Sequence, residues 1–175
     1  MCSIEVTPVI ATERLVLRGP VRGDAEAVYR LASDINVAGM TSRMPHPYGM
    51  ADAEAFLERA MGAGFDAEPT FVIEHRNFGV VGVLAFDPGE KPELGYWLGR
   101  PYWNRGYMTE AVRAALRWAK RDWRKNVVVA GHFSDNPASG QVLCKAGFLY
   151  TGDVEKRPSK ARGAEVRTRM MVWLA

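Results

Sequence analysis

Apolar residues recur along this chain in two rhythms, one position in two and about one in 3.6, and the switches between them outline its elements. Residues 12–18, Thr-Glu-Arg-Leu-Val-Leu-Arg, alternate and read as a strand that Gly19-Pro20 breaks. Asp24 is placed as the N-cap of a helix whose stripe, Ala27, Val28 and Leu31, ends near Ser33. Pro45 and Pro47 flank His46 and bar a helix, so residues 42–49 form an ordered loop. A second helix is predicted over 51–61, with Ala55, Phe56 and Ala60 facing inward and Gly62 and Gly64 ending it. Residues 70–74 are β-branched and aromatic, hence a strand. Residues 80–86 are apolar on both faces and predict a central strand, and 92–98 complete a meander. Asn77 to Gly79 and Asp87-Pro88-Gly89-Glu90 supply its turns.

From Ala111 to Arg124 the spacing of Ala111, Val112, Ala115, Leu116 and Ala119 is helical. The cations at its end, Lys120, Arg121, Arg124 and Lys125, read as a solvated helix terminus that complements the dipole. Residues 127–130 form a buried strand, and Asn136-Pro137 opens a helix as N-cap and first position. That helix runs to Ala146, with Gly147 as its stop. Residues 148–151 read as a strand, 155–164 as a polar loop, and 166–174 as the closing strand. The sum is a mixed sheet in one α/β domain spanning 1–175.

The first candidate chemistry lies between the third meander strand and the helix that follows: Trp103-Asn104-Arg105-Gly106-Tyr107-Met108-Thr109-Glu110. The first N–H groups of a helix lack internal partners and carry the positive end of its dipole, so they suit phosphate oxygens. Gly106 lets a ligand approach the backbone, and Arg105 adds a full charge. Glu110 suits the dipole but is expected to sit near a bound phosphate. An ordinary strand-to-helix turn has the same local character. Neither a P-loop pattern nor G-x-G-x-x-G occurs, which removes two nucleotide-binding alternatives.

Composition narrows the function classes. With 175 residues, 47% hydrophobic and 25% charged, the chain has the make-up of a globular protein with a real core. A net charge of +3 without a dense Lys/Arg block suits a small anionic ligand as well as nucleic acid. Basic and aromatic residues do not interleave on one predicted face, so nucleic acid is not expected as a partner. Met1-Cys2-Ser3-Ile4-Glu5 does not start a secretory signal, and no apolar run is long enough for a membrane helix, so a cytoplasmic location is expected. Cys2 and Cys144 are expected to be reduced thiols, with Cys144 buried. No His/Cys/Asp cluster has metal spacing, so no metal is expected. The oligomeric state is not legible, and a homodimer is left open.

Residues 93–111, Glu-Leu-Gly-Tyr-Trp-Leu-Gly-Arg-Pro-Tyr-Trp-Asn-Arg-Gly-Tyr-Met-Thr-Glu-Ala, resemble the acetyl-CoA motif of GNAT N-acetyltransferases, especially the Rim-type branch that acetylates ribosomal-protein N-termini. Asp135-Asn136-Pro137-Ala138-Ser139 and Lys145-Ala146-Gly147-Phe148 resemble that branch's next motif, and segments 12–18, 45–48 and 159–163 match as well. Two positions depart from the family pattern Gln/Arg-x-x-Gly-x-Gly/Ala: Trp103 stands first, and Met108 puts side-chain bulk near the pyrophosphate. The resemblance implies a GNAT fold: a mostly antiparallel mixed sheet, splayed in the middle, with helices on both faces. It implies acetyl-CoA as co-substrate. The pyrophosphate would be held by N–H groups of Asn104, Arg105, Gly106, Tyr107, Met108 and Thr109. Free backbone groups on Trp97 and Leu98 would pair with pantetheine as an added strand does. Asn136 and Ser139 would face the pantetheine end and the sulfur.

The implied reaction is attack of an amine on the thioester, directly, with both substrates bound. It needs a neutral amine, N–H donors for the oxyanion and a hydrogen bond for the leaving thiolate. Leu98 N–H is the oxyanion candidate, Ser139 the thiolate's, and Glu93 the base, acting directly or through water. His132 is the rival base. His75 is expected on the surface and His46 in a substrate loop. Tyr48, Tyr102 and Trp103 are candidate walls of the acceptor pocket, and the loops at 34–50 and 153–165 are expected to select the acceptor. Each of these residues also has an ordinary reading: Ser139 as a first-turn helix residue, Asn136 as a cap, Glu93 as a solvated carboxylate. The rival function is a non-catalytic acyl-CoA-binding module.

Overall fold

The computed structural model describes residues 7–65 and 67–175, so the expectations for residues 1–5, Cys2 among them, lie outside the described residues. The described residues form eight strands: β1 (Ile10–Ala11), β2 (Leu15–Arg18), β3 (Thr70–His75), β4 (Gly79–Asp87), β5 (Glu93–Leu98), β6 (Val127–Phe133), β7 (Leu149–Ser159) and β8 (Ala164–Leu174). They form one sheet in the order β1-β2-β3-β4-β5-β6-β8-β7. Every neighbouring pair is antiparallel except β5 and β6. Those two run parallel and meet at two rungs only, Glu93 with Val129 and Leu94 with Ala130. Beyond Leu94 they part, and the sheet opens into a wedge.

The helices are α1 (Ala25–Ala32), α2 (Ile35–Ala38), α3 (Met50–Gly62), α4 (Tyr107–Arg121) and α5 (Pro137–Ala146). The pleat sends Leu84, Phe86 and Leu94 to one side, where they pack with Val112, Leu116 and Trp118 of α4 and Leu143 of α5. On the other side Trp97 packs with Val28 and Ala32 of α1 and Ala53 and Leu57 of α3. Each sheet face therefore has its own core, and the two cores hold β5 between them.

Several local expectations change. Asp24 does not cap α1 with its side chain; its carboxylate accepts from Val21 N and from both Nη atoms of Arg18, inside a 3-10 turn that precedes the helix. The inward residues of α3 are Ala53 and Leu57, whereas Ala55 is exposed and Phe56 half-buried. The segment predicted as a polar loop is largely the second half of β7, paired with β8 from Glu155–Thr168 to Ser159–Ala164. Its side chains are polar because β7 is the outer strand of the sheet. Cys144 is exposed, since α5 turns Gly140 and Leu143 inward instead. His75 is buried, stacked on Phe78.

Candidate active site

One continuous cleft of about 1040 Å³ runs from the turn before α4, through the wedge, to the loops of residues 37–48 and the β7–β8 hairpin. At its first end, α4 begins at Tyr107 rather than Ala111, so the Trp103–Glu110 stretch is itself the helix start. Gly106 is the N-cap with φ 77°, and Asn104 has φ 59°. Glycine carries no penalty in the left-handed region, and Asn is among the few other residues that visit it readily. The helix's first internal bond is Glu110 N to Gly106 O, 3.1 Å, and no side chain caps the terminus. The N–H groups of Tyr107, Met108 and Thr109 therefore lie open at the cleft.

Met108 does not crowd this end. Its side chain, like that of Tyr107, is buried in the core. Glu110 is also held away. It accepts from Thr12 Oγ1 (2.6 Å), Arg14 N (2.9 Å) and Arg14 Nε (2.7 Å). Burial pushes the Glu110 carboxyl up, but these bonds together outweigh it and leave it below the usual range. Arg14 Nη1 also donates to Arg105 O at 2.9 Å, so the same guanidinium ties the turn to the sheet. Arg105 lies over the Phe78 ring and lines the cleft.

In the wedge the ladder decides which backbone groups are free. Gly99 N donates to Val81 O at 2.8 Å, which makes Val83–Trp97 a hydrogen-bonded pair of the antiparallel ladder. The Trp97 carbonyl points at β4, 2.3 Å from where a Cβ on Gly82 would stand. The expectation that Trp97 offers backbone groups to a ligand does not fit this register, and its side chain contributes to the cleft wall instead. Tyr96 and Leu98 are the residues whose backbone faces the opening. The Leu98 carbonyl is taken by Trp103 Nε1 at 2.7 Å, which leaves the Leu98 N–H.

Across the wedge, Asn136 caps α5 by accepting from Ser139 N at 3.3 Å, and both residues line the cleft. Ser139 Oγ lies 2.8 Å from Tyr96 Oη. At the far side Glu93 Oε1 is paired with Arg157, which also binds Glu155 at 2.8 Å. His132 is buried and engaged at both ring nitrogens, Nδ1 with Phe133 O at 2.9 Å and Nε2 with Tyr150 Oη at 3.0 Å.

The model of the acetyltransferase (GNAT) domain matches residues 14–149. The chain is 30% identical over 150 residues to the uncharacterised N-acetyltransferase YnaD of Bacillus subtilis, covering 84% of this chain and 86% of that one. The chain belongs to the GNAT acetyltransferase family. The fold agrees with a GNAT acetyltransferase from Bacillus anthracis (TM-score 0.82, 23% identity, 95% and 98% of the two chains). It agrees equally with RimL, a ribosomal L7/L12 α-N-protein acetyltransferase solved with coenzyme A (TM-score 0.83, 18% identity, 95% and 98%).

The chain is thus an N-acetyltransferase that uses acetyl-CoA, and the GNAT layout gives each part of the cleft a use. Uncapped donors at a helix start fit a pyrophosphate, and a parted strand pair fits an amide-bearing arm. At the other end of the cleft the segment before α3 is tied to the β7–β8 hairpin: Lys160 N donates to Ser42 O (3.0 Å), Ser159 Oγ to Thr41 O (3.2 Å) and Arg162 Nε to Gly39 O (2.5 Å). Arg162 also grips Asp135, and that hydrogen bond holds the Asp135 carboxyl below the usual range. Tyr48 lines this end, its hydroxyl pushed up to about 12 by burial and then by Asp52, so it remains neutral. Tyr102 and Trp103 sit instead beside the α4 turn, and His46 is exposed. The sequence reading missed Arg14, Tyr96 and Arg157. Each pairs with a partner far along the chain that no local pattern points to: Arg14 with Glu110, Tyr96 with Ser139 and Arg157 with Glu93.

Among the described residues, no helix is long and apolar enough to cross a membrane.

Proposed function

We propose that this GNAT enzyme acetylates a primary amine, a protein N-terminus or a small molecule, by direct attack within a ternary complex. The observation that carries the reading is the two-rung pairing of β5 with β6. It opens one path from the uncapped α4 start, past Leu98 and Ser139, to Glu93. In this path the N–H groups of Asn104, Arg105, Gly106, Tyr107, Met108 and Thr109 bind pyrophosphate, and Leu98 N–H serves the oxyanion. Asn136 fixes the first turn of α5, so that Ser139 O–H meets the leaving sulfur. Glu93 accepts the amine proton, directly or through one water, with the oxygen that Arg157 does not engage. Much of the acceleration comes from holding amine and thioester together. The acceptor named for RimL, a ribosomal protein's α-amine, makes protein N-termini the first class to try. The chain is proposed to act in the cytoplasm as one domain, without nucleic acid, and formation of a homodimer is measured alongside.

The test is release of free CoA against peptide N-termini, amino acids, polyamines and aminoglycosides, with the acetylated amine identified by mass. Turnover on at least one amine, slowed about a hundredfold in kcat by Ser139→Ala, supports the reading. Unchanged kcat in both Ser139→Ala and Glu93→Gln contradicts the assigned roles.

A further inference from the structure

Tyr96 of β5 reaches across the wedge to the first turn of α5. Tyr96 Oη lies 2.8 Å from Ser139 Oγ and 3.2 Å from Ser139 O. A phenol has one proton, and here two acceptors are in reach. If the proton goes to Ser139 O, the phenol oxygen accepts from the serine hydroxyl, and Ser139 has no donor left for a ligand. If the proton goes to Ser139 Oγ, the serine O–H is released and can point into the cleft. A departing thiolate needs the second arrangement.

We propose that Tyr96 is a positioning residue for acetyl transfer, donating to Ser139 Oγ so that the serine O–H is aimed at the sulfur leaving from coenzyme A. This rests on the reading of Ser139 as the thiolate's donor. In the step, the amine nitrogen bonds to the acetyl carbon and the C–S bond breaks. Its electron pair stays on sulfur, and the proton lost by the nitrogen goes to the base. Tyr96 and Ser139 keep their protons and change only their direction. A donor on Ser139 Oγ also polarises the serine O–H, which strengthens the bond it makes in turn. Burial raises the Tyr96 hydroxyl well above its ordinary range against the opposing effect of Ser139, so the phenol stays protonated at any working pH.

The test compares the native enzyme with Tyr96→Phe, Ser139→Ala, the double variant and Tyr96→3-fluorotyrosine, each first checked for an unchanged melting temperature. Tyr96→Phe is expected to lower kcat by about tenfold, the loss of one hydrogen bond, with KM for acetyl-CoA within about twofold. Because Tyr96 acts through Ser139, the double variant should be no slower than Ser139→Ala alone. Fluorotyrosine retains the donor and should restore kcat where Phe does not, which also carries the test if Tyr96→Phe fails to fold. Losses that add fully, or a fluorotyrosine variant as slow as Phe, would overturn the proposal. If Ser139→Ala is slow and Tyr96→Phe is not, Tyr96 alone is misassigned. If Ser139→Ala keeps its kcat, the reading of Ser139 falls and this proposal falls with it.

Discussion

At the scale of single residues, the site uses few ionisable groups, and most of them are already partnered. Glu93 is the sharpest case. Its pairing with Arg157 engages one oxygen, and the proposed function gives the other the amine proton. Glu93→Gln keeps the shape and removes that acceptor. It should lower kcat/KM about a hundredfold near neutral pH, with the deficit shrinking at high pH where the amine is already neutral. A pH–rate profile of both proteins checks this; a deficit constant with pH would mean that Glu93 only shapes the pocket. That Ser139, Asn136, Arg105 and Gly106 line the cleft was legible because a short motif places them. Met108 and Cys144 were misread because motif position does not say which way a helical side chain turns. Met108 enters the core and Cys144 leaves it.

At the scale of elements, β5 and α4 carry the site, and each is set by contacts from far along the chain. Gly82 is required by close approach: a Cβ there would meet Trp97 O at 2.3 Å. Gly82→Ala must displace the Trp97–Leu98 backbone. It should destabilise the protein by about 1–3 kcal/mol, as overpacking does, and weaken coenzyme A binding in a calorimetric titration. The α4 start depends on Glu110. Its carboxyl titrates below the usual range when folded, so the stability it confers is present above the unfolded pKa of about 4.3 and is lost as pH falls through the lower, folded value. Glu110→Gln should therefore cost about 1.5–3 kcal/mol at pH 7, the range for hydrogen bonds to a charged group. The difference from the native protein should shrink steadily in denaturant titrations as pH falls below the unfolded value. A pH-independent cost would contradict the charged role. The sequence placed the meander, α4 and α5 nearly where they are, because their periodicities are strong. It misread β7, since an outer strand with solvated side chains has the composition of a loop.

At the scale of the whole molecule, two apolar cores on opposite faces grip β5 while β6 turns away from it after two rungs. Periodicity cannot show that parting, because both strands look continuous in sequence, and the family resemblance alone implied it. The register then decided which backbone groups are free: those of Leu98 and Tyr96 face the opening, and those of Trp97 do not. Residues 39–42 meet residues 159–162 at the far end of the cleft, 118 residues apart in the Thr41–Ser159 pair, so under the proposed function acceptor choice draws on two distant segments rather than on one motif.

The most direct test is an amide-resolved NMR titration of the protein with coenzyme A. The account predicts that the amides of Tyr107, Met108, Thr109 and Leu98 shift most, while those of the β1–β2 edge stay still. Saturable binding of coenzyme A that leaves those four amides unmoved would contradict it.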